Sequence, residues 1–390
     1  MRDRMFLNGR RLCDDGSKDR KVDFSWHKVY LLSRRGVYPF LRNYTIIRWV
    51  FIIPLNSLKF LKEGDNMEKV VAVVPTFNRS STLTRCIQSL LSQTHPLYKI
   101  LIVDNNSGEK HKEKILQLIR ESPNLVEALF LDENYGGAGG FEKGVRFAFE
   151  KFHPDFLWLM DDDAYPTESC LENLVQTYKT LTSQGRPVGA VAPLIQGIDT
   201  GKYQFYHHKR VSSVILKEKP VKSTFEELED IEELDANAFV GLLVPRRSIE
   251  IAGTPDGSFF IYGDDTEYTL RLSRKFKLKI YLVKKSVIYH QDTPQVNGSV
   301  PPQQLWKYYY QVRNKYLMLE SFGKNRMLKE YSKLLFTLSQ VKSLIACLIK
   351  TEYRGYRRLR FAIILKGILH GLLRYKGKTL SPENFKIKGN

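Results

Sequence analysis

The chain has 390 residues, 43% hydrophobic and 12% aromatic, which excludes a disordered polymer and allows one large or two ordinary folded domains. Its formal net charge of +19 is unevenly placed: residues 1–66 carry +7, residues 327–390 carry +11, and the stretch between them +1. The basic ends interleave with Leu and Ile rather than forming an aromatic-studded face, which argues against nucleic acid and for contact with an anionic membrane. Cys13, Cys86, Cys170 and Cys347 form no CxxC pair and have no zinc-spaced His, so they read as buried thiols of a reducing compartment. No run reaches the roughly 18 uninterrupted apolar residues of a membrane span. The nearest, 44–58, is broken by Arg48 and Pro54. With no signal-peptide pattern at the start, the expected location is cytoplasmic, peripheral to the inner face of the plasma membrane.

Residues 1–66 show little periodic order and are expected to lie outside the catalytic unit, with Met67 a candidate true start; the alternative is a basic-aromatic extension on the membrane. Regular patterning begins at Val70. The run 70–74 is wholly apolar, as a strand buried on both faces requires, and Ser80 or Ser81 should cap a helix to about 92. A strand over 100–103 closes on Asp104-Asn105-Asn106, a helix covers 110–121, and a third strand covers 126–131. Asn134 opens a glycine-rich loop that includes Gly139 and Gly140 and runs into a helix to about 151. The fourth strand, FLWLM, ends in Asp161, Asp162 and Asp163, and a helix follows over 168–183. Strands alternating with helices at this interval predict βαβ units and a mostly parallel sheet.

Beyond it, 188–195 and 203–208 read as strands and the acidic run 226–235 as a solvated loop or helix face. GDDTEY opens a helix to about 275, and 279–283 and 286–289 are two short strands ending at His290. From Gln304 the pattern is helical, continuing into a basic amphipathic tail. The expected domains are therefore the extension 1–66, a catalytic domain 67–326 and the tail 327–390.

The strand ends carry the chemistry, because a parallel sheet delivers them to one crevice. Three adjacent carboxylates repel one another and call for a cation, Mg²⁺ or Mn²⁺ shared with substrate phosphates; the bland alternative is a solvated acidic turn. Asp104 can accept from a base N–H, Asn106 and Arg79 can serve a nucleotide, and the glycines permit close backbone approach. The loop lacks the third glycine of a Rossmann fingerprint, where Glu142 stands, and lacks the GK[ST] of a P-loop. Asp264 and Asp265 either complement a helix dipole or supply a general base. His290 is either structural or a third metal ligand.

In order, VVPTFNR, VDNNS, NYGGAGGF, MDDDA, GDDTEY, His290 and YYYQVRN resemble an inverting family 2 glycosyltransferase of the GT-A fold over about 70–319. The glycine-rich piece resembles the galactofuranosyltransferase and rhamnosyltransferase branch. The resemblance implies a GT-A type, Rossmann-like, mostly parallel α/β sheet flanked by helices, with a helical C-terminal region. It implies Asp161, Asp163 and His290 as ligands of Mn²⁺ or Mg²⁺. Donor contacts would come from Pro75, Thr76, Asn78, Arg79, Asp104, Asn106, Asn134, Gly139, Gly140 and Asp162, and the catalytic carboxylates would be Asp265, as general base, and Asp264. The implied donor is UDP-galactofuranose, with dTDP-rhamnose as the alternative, and the partner a lipid-linked glycan acceptor. Tyr262-Gly263 stands where the galactofuranosyl branch carries Trp, a departure that bears on donor identity. A non-catalytic nucleotide-sugar-binding scaffold is the competing class, and homo-oligomerisation stays open.

Overall fold

The computed structural model describes residues 67–292 and 302–381, all within one compact unit, Asn66–Asn390. The extension 1–66, its 44–58 run and Cys13 lie outside the described residues.

Strands β1 (Val70–Thr76), β2 (Lys99–Asp104), β3 (Val126–Phe130) and β4 (Phe156–Leu159) alternate with helices α1 (Ser80–Leu91), α2 (Glu109–Glu121) and α3 (Gly136–Phe152). Then come β5 (Ala164–Pro166), α4 (Cys170–Ser183), β6 (Val188–Gly197), β7 (His208–Val211), β8 (Glu218–Pro220), β9 (Ile231–Leu234), β10 (Ala236–Asn237) and β11 (Leu242–Pro245). The chain ends in α5 (Arg246–Ala252), α6 (Asp264–Leu270), β12 (Lys279–His290), α7 (Leu305–Phe322), α8 (Arg326–Ile349) and α9 (Arg357–Leu372). The main sheet runs β3-β2-β1-β4-β11-β6-β12-β5, with β9 also on β12. Strands β3, β2, β1, β4, β6 and β12 point one way and β11, β5 and β9 against them. The mostly parallel sheet flanked by helices, and the helical C-terminal region, are both present.

β1 sits at the centre because its sequence satisfies two faces at once. Val70, Ala72 and Val74 pack with Leu83 and Ile87 of α1, while Val71 and Val73 pack with Phe141 and Val145 of α3. Burying each such valine contributes roughly 1.5–3 kcal/mol, enough to offset the roughly 1–2 kcal/mol of ordering its backbone. On the α3 side the packing is so close that a Cβ at Gly144 would stand 2.6 Å from Val103 and 2.7 Å from Val73.

α9 lies on α7 through a similar notch. A Cβ at Gly371 would fall 2.3 Å from the ring of Tyr316, and one at Gly367 2.9 Å from Val312. The described part of the tail expected from residue 327 is thus largely helical, with α9 packed on α7. Among the described residues, α8 alone is long and apolar enough, by length and composition, to cross a membrane. It contains no uninterrupted apolar run of spanning length, because lysines and polar residues are spaced along it.

Several local expectations are corrected. α1 begins at Ser80 itself, with Arg79 at its N-cap and no side-chain cap. The glycine-rich "loop" is the first turns of α3, since glycines that would weaken an isolated helix here let it approach the strand ends. Residues 205–207 form a 3₁₀ turn and strand β7 starts only at His208. The acidic run contains β9, in which Glu232 is buried, paired antiparallel with β12. The two strands expected before His290 are one strand, β12, with a register shift between Val283 and Val287.

Candidate active site

β4 ends at Leu159 and Asp161–Asp163 follow at the C-terminal edge of the parallel strands. β1 ends alongside, and the Thr76 hydroxyl donates to Asp162 Oδ2 at 2.7 Å. Arg79 reaches over from the start of α1, Nη1 lying 3.0 Å from Asp162 Oδ1 and Nη2 2.6 Å from Asp163 Oδ2. β12 pairs with β5 so that His290 stands opposite Ala164, bringing its Nε2 to 3.3 Å from Asp163 Oδ1. Part of the cationic charge that three carboxylates demand therefore comes from Arg79 and His290.

Ligand atoms of Asp161, Asp163 and His290 lie within 4.8 Å of one another, a group that could hold a metal ion. Two carboxylates and an imidazole suit Mn²⁺ or Mg²⁺, the nitrogen favouring Mn²⁺. The histidine is oriented for this. Its Nδ1–H donates to Gln204 Oε1 at 3.1 Å, which turns Nε2 toward the carboxylates, where loss of its proton would free it to bind a metal. The Gln204 amide is itself oriented by Nε2–H donation to the carbonyl of Gln291 at 3.3 Å.

The three acids differ in electrostatics. Burial, reinforced by the Asp163 charge, pushes Asp161 up to about 7. Burial also pushes Asp162 up to about 6, against the pull of Arg79 and Thr76. Burial opposes ionisation of Asp163 too, but His290 and Arg79 outweigh it and hold its carboxyl below the usual range. Asp161 is thus the group whose charge most needs a further cation.

The neighbouring turns are held by asparagines at positive φ, Asn78 at 56° and Asn106 at 62°, a conformation Asn tolerates better than most residues. Asn78 Oδ1 accepts from the Gly108 N–H at 2.8 Å, and its own N–H donates to Ser107 Oγ at 2.8 Å, joining the loops after β1 and β2. Asp104 is fully buried and accepts from the Ser107 N–H at 3.1 Å. Asn106 donates to the Asp132 carbonyl at 3.0 Å, and Asn134 accepts from the Gly136 N–H at 2.8 Å. A Cβ at Gly140 would stand 2.8 Å from Pro75 and 2.7 Å from the Asn105 amide, so this glycine serves helix packing at the crevice edge.

The second acid cluster opens α6. Asp264 is buried, and burial with the adjacent Asp265 charge raises it well above the usual range. Asp265 is only partly buried, and its charge reaches Asp161. It lines a cavity of about 400 Å³ together with Lys209, Glu218, Thr266, Asn314 and Lys315. Lys209 donates to Thr266 Oγ1 at 2.8 Å and pairs with Glu218 at 2.9 Å. Although burial opposes its charge, Asp265 and Glu218 raise it above the usual lysine value.

The fold therefore brings Thr76, Arg79, Asp161, Asp162, Asp163 and His290 into contact and puts Asp265 beside the adjoining cavity. Asn78, Asn106 and Asn134 hold turns, and Asp104 lies beneath the surface. Sequence reasoning missed Gln204 and Lys209, which sit in stretches with no motif, and gave no role to Arg313 and Asn314, although YYYQVRN was noticed.

Residues 71–238 match the family model Glycosyl transferase family 2. The chain is similar to galactofuranosyltransferase GlfT1 of Mycobacterium tuberculosis, 26% identical over 208 residues, covering 53% of this chain and 65% of that protein. The same enzyme of Mycolicibacterium smegmatis is 27% identical over 210 residues, covering 53% and 66%. The chain thus spans just under two thirds of these relatives. In fold it is similar to GalNAc-T7 solved with UDP, GalNAc and Mn²⁺, at 18% identity and TM-score 0.48, covering 70% of this chain and 55% of that one. Residues 71–238 thus match a glycosyl transferase family 2 domain, and the relatives that the chain resembles are glycosyltransferases.

Proposed function

We propose that the chain is a metal-dependent inverting glycosyltransferase that moves galactofuranose from UDP-galactofuranose to a lipid-linked glycan in cell-surface polysaccharide synthesis. The observation that carries this reading is the gathering of Asp161, Asp163 and His290 at one strand edge, with Asp265 facing a separate cavity beside them. The galactofuranosyltransferase relatives support the donor.

Asp161, Asp163 and His290 would hold a divalent cation, whose chemistry is to neutralise the diphosphate as it takes up charge. The Arg79 guanidinium supports the same phosphates, and Thr76 fixes the Asp162 carboxylate that faces the donor. Asp265 accepts the proton of an acceptor hydroxyl lodged in the 400 Å³ cavity. As the hydroxyl oxygen bonds to the anomeric carbon, the bond from that carbon to the phosphate oxygen breaks and its electron pair leaves with the nucleoside diphosphate. One displacement inverts the anomeric centre.

Membrane contact fits the same reading. α8 exposes Leu334, Leu338, Ile345, Leu348 and Ile349, and residues 327–390 carry net +11, the combination by which interfacial helices bind anionic bilayers. The test is product formation by the purified full chain with Mn²⁺ and a lipid-linked glycan, supplying UDP-galactofuranose, dTDP-rhamnose, UDP-galactose or UDP-glucose. Transfer from UDP-galactofuranose above the others is expected. Transfer from dTDP-rhamnose alone would replace the donor, and no transfer from any of them would leave the scaffold reading.

A further inference from the structure

The backbone that delivers Asp265 is a poor candidate for holding itself in place. Between the 3₁₀ turn Gly257–Phe259 and α6, Phe260 has φ 64°, Tyr262 φ 64° and Gly263 φ 89°. Two aromatic residues in the left-handed region persist only where the surroundings over-determine the conformation. The carbonyls of such a loop point outward and need donors.

Those donors come from two consecutive residues of α7. Asn314 Nδ2 faces the carbonyls of Phe259, Ile261 and Tyr262 at 3.0, 2.8 and 2.7 Å. Arg313, fully buried, donates through Nη2 to the Phe259 carbonyl at 2.8 Å and through Nη1 to the Gly377 carbonyl at 2.6 Å. Arg313 Nε donates to Asn314 Oδ1 at 2.8 Å, which fixes the amide with its N–H groups toward the loop. From the other side α3 closes the grip, the Ala138 N–H donating to the Phe260 carbonyl at 3.1 Å. None of these hydrogen bonds goes to Asp161, Asp163 or His290.

We propose that Arg313 and Asn314 are positioning residues for Asp265: by capturing the carbonyls of Phe259, Ile261 and Tyr262 they hold the strained loop that aims its carboxylate into the cavity. The assignment rests on Asp265 as the general base. Because the pair grips the loop and not the metal-binding group, its loss should appear in turnover and not in donor binding. A side chain that merely stabilised the fold would lower melting temperature without separating the two.

The experiment compares Asn314→Ala, Asp265→Asn and the double variant in the full chain, with UDP-galactofuranose and Mn²⁺. Asn314→Ala is expected to lower kcat about 10- to 100-fold with donor KM within about twofold, and to cost nothing further in the Asp265→Asn background. Adding Tyr262→Gly, which removes the steric objection to positive φ, should restore part of the lost turnover. If Asn314→Ala does not fold, Asn314→Ser, which keeps one donor, carries the same comparison. Unchanged kcat in a folded Asn314 variant, or a full additional loss in the double variant, overturns the proposal. Unimpaired turnover of Asp265→Asn overturns the base assignment instead, so the two failures are told apart.

Discussion

Asp161–Asp163 stand where β4 runs out, and the ladder of a parallel sheet sets them beside Thr76 and Arg79. Asp265 stands past a loop that no ladder supports, its carbonyls taken up by side chains of α7. The first region inherits its geometry from hydrogen bonds between neighbouring strands, repeated along their length. The second depends on a few side-chain contacts formed late in the chain. A site assembled this way could lose the Asp265 carboxylate and keep the strand-edge cluster, and the variants that follow are ways of separating the two.

The largest effect belongs to the second region. Asp265→Asn should lower kcat by about 10²–10⁴-fold, the usual worth of a positioned general base, with donor affinity intact. A variant retaining more than about a tenth of wild-type turnover would remove Asp265 from the mechanism.

Next comes the small antiparallel sheet of β10, β7 and β8, in which β7 carries Lys209 toward the cavity. His208, fully buried there, holds Asn237 Oδ1 at 2.7 Å through Nδ1, stacks on Tyr203, and has no partner for Nε2. Burial lowers it to about 4. The unfolded chain, with a histidine near 6.5, binds this proton more readily, so stability rises with pH through this interval. The contribution is complete above about 6.5 and is lost as pH falls towards 4, by about 3 kcal/mol at most. Urea titrations at pH 7 and pH 4.5 should show that loss in the wild type and a smaller one in His208→Asn. Equal losses in both would place the acid sensitivity elsewhere.

The smallest effect tests the first region. Gln204→Leu removes the acceptor that orients His290 and should weaken Mn²⁺ binding about 10- to 100-fold, as loss of an outer partner of a metal-binding histidine does. His290→Ala should weaken it at least as much. Mn²⁺ titration followed by calorimetry checks both, and unaltered binding in His290→Ala would return that residue to a structural role.

What the sequence made legible follows the same division. β1 and β4 could be read because burial on both faces leaves an uninterrupted apolar run, and the acids then mark the strand end. The order of motifs was enough to place Thr76, Arg79, Asp163 and His290 near one another. Gln204 could not be found, because a glutamine just before the 3₁₀ turn 205–207 carries no periodic signal; only the pairing of β12 brings it to His290. Gly139 and Gly140 were read as ligand-facing because glycine permits close approach, and the partner in that approach turned out to include Pro75 and Tyr135. β9 was hidden by its own glutamates, because Ile231-Glu232-Glu233-Leu234 has no apolar alternation to set it apart from the surrounding acidic run. Arg313 and Asn314 were visible as a motif but silent as to purpose, since a loop's unsatisfied carbonyls are not written in the sequence.

The central claim is that the strand edge binds the nucleotide through a metal while Asp265 acts only on the acceptor. Titrating UDP by calorimetry into the wild type, Asp163→Ala and Asp265→Asn, each with Mn²⁺ and with chelator, tests it most directly. The account predicts binding that requires Mn²⁺ in the wild type, is weakened in Asp163→Ala, and is unchanged in Asp265→Asn. Binding of equal strength in chelator, or binding lost with Asp265 and kept without Asp163, would contradict it.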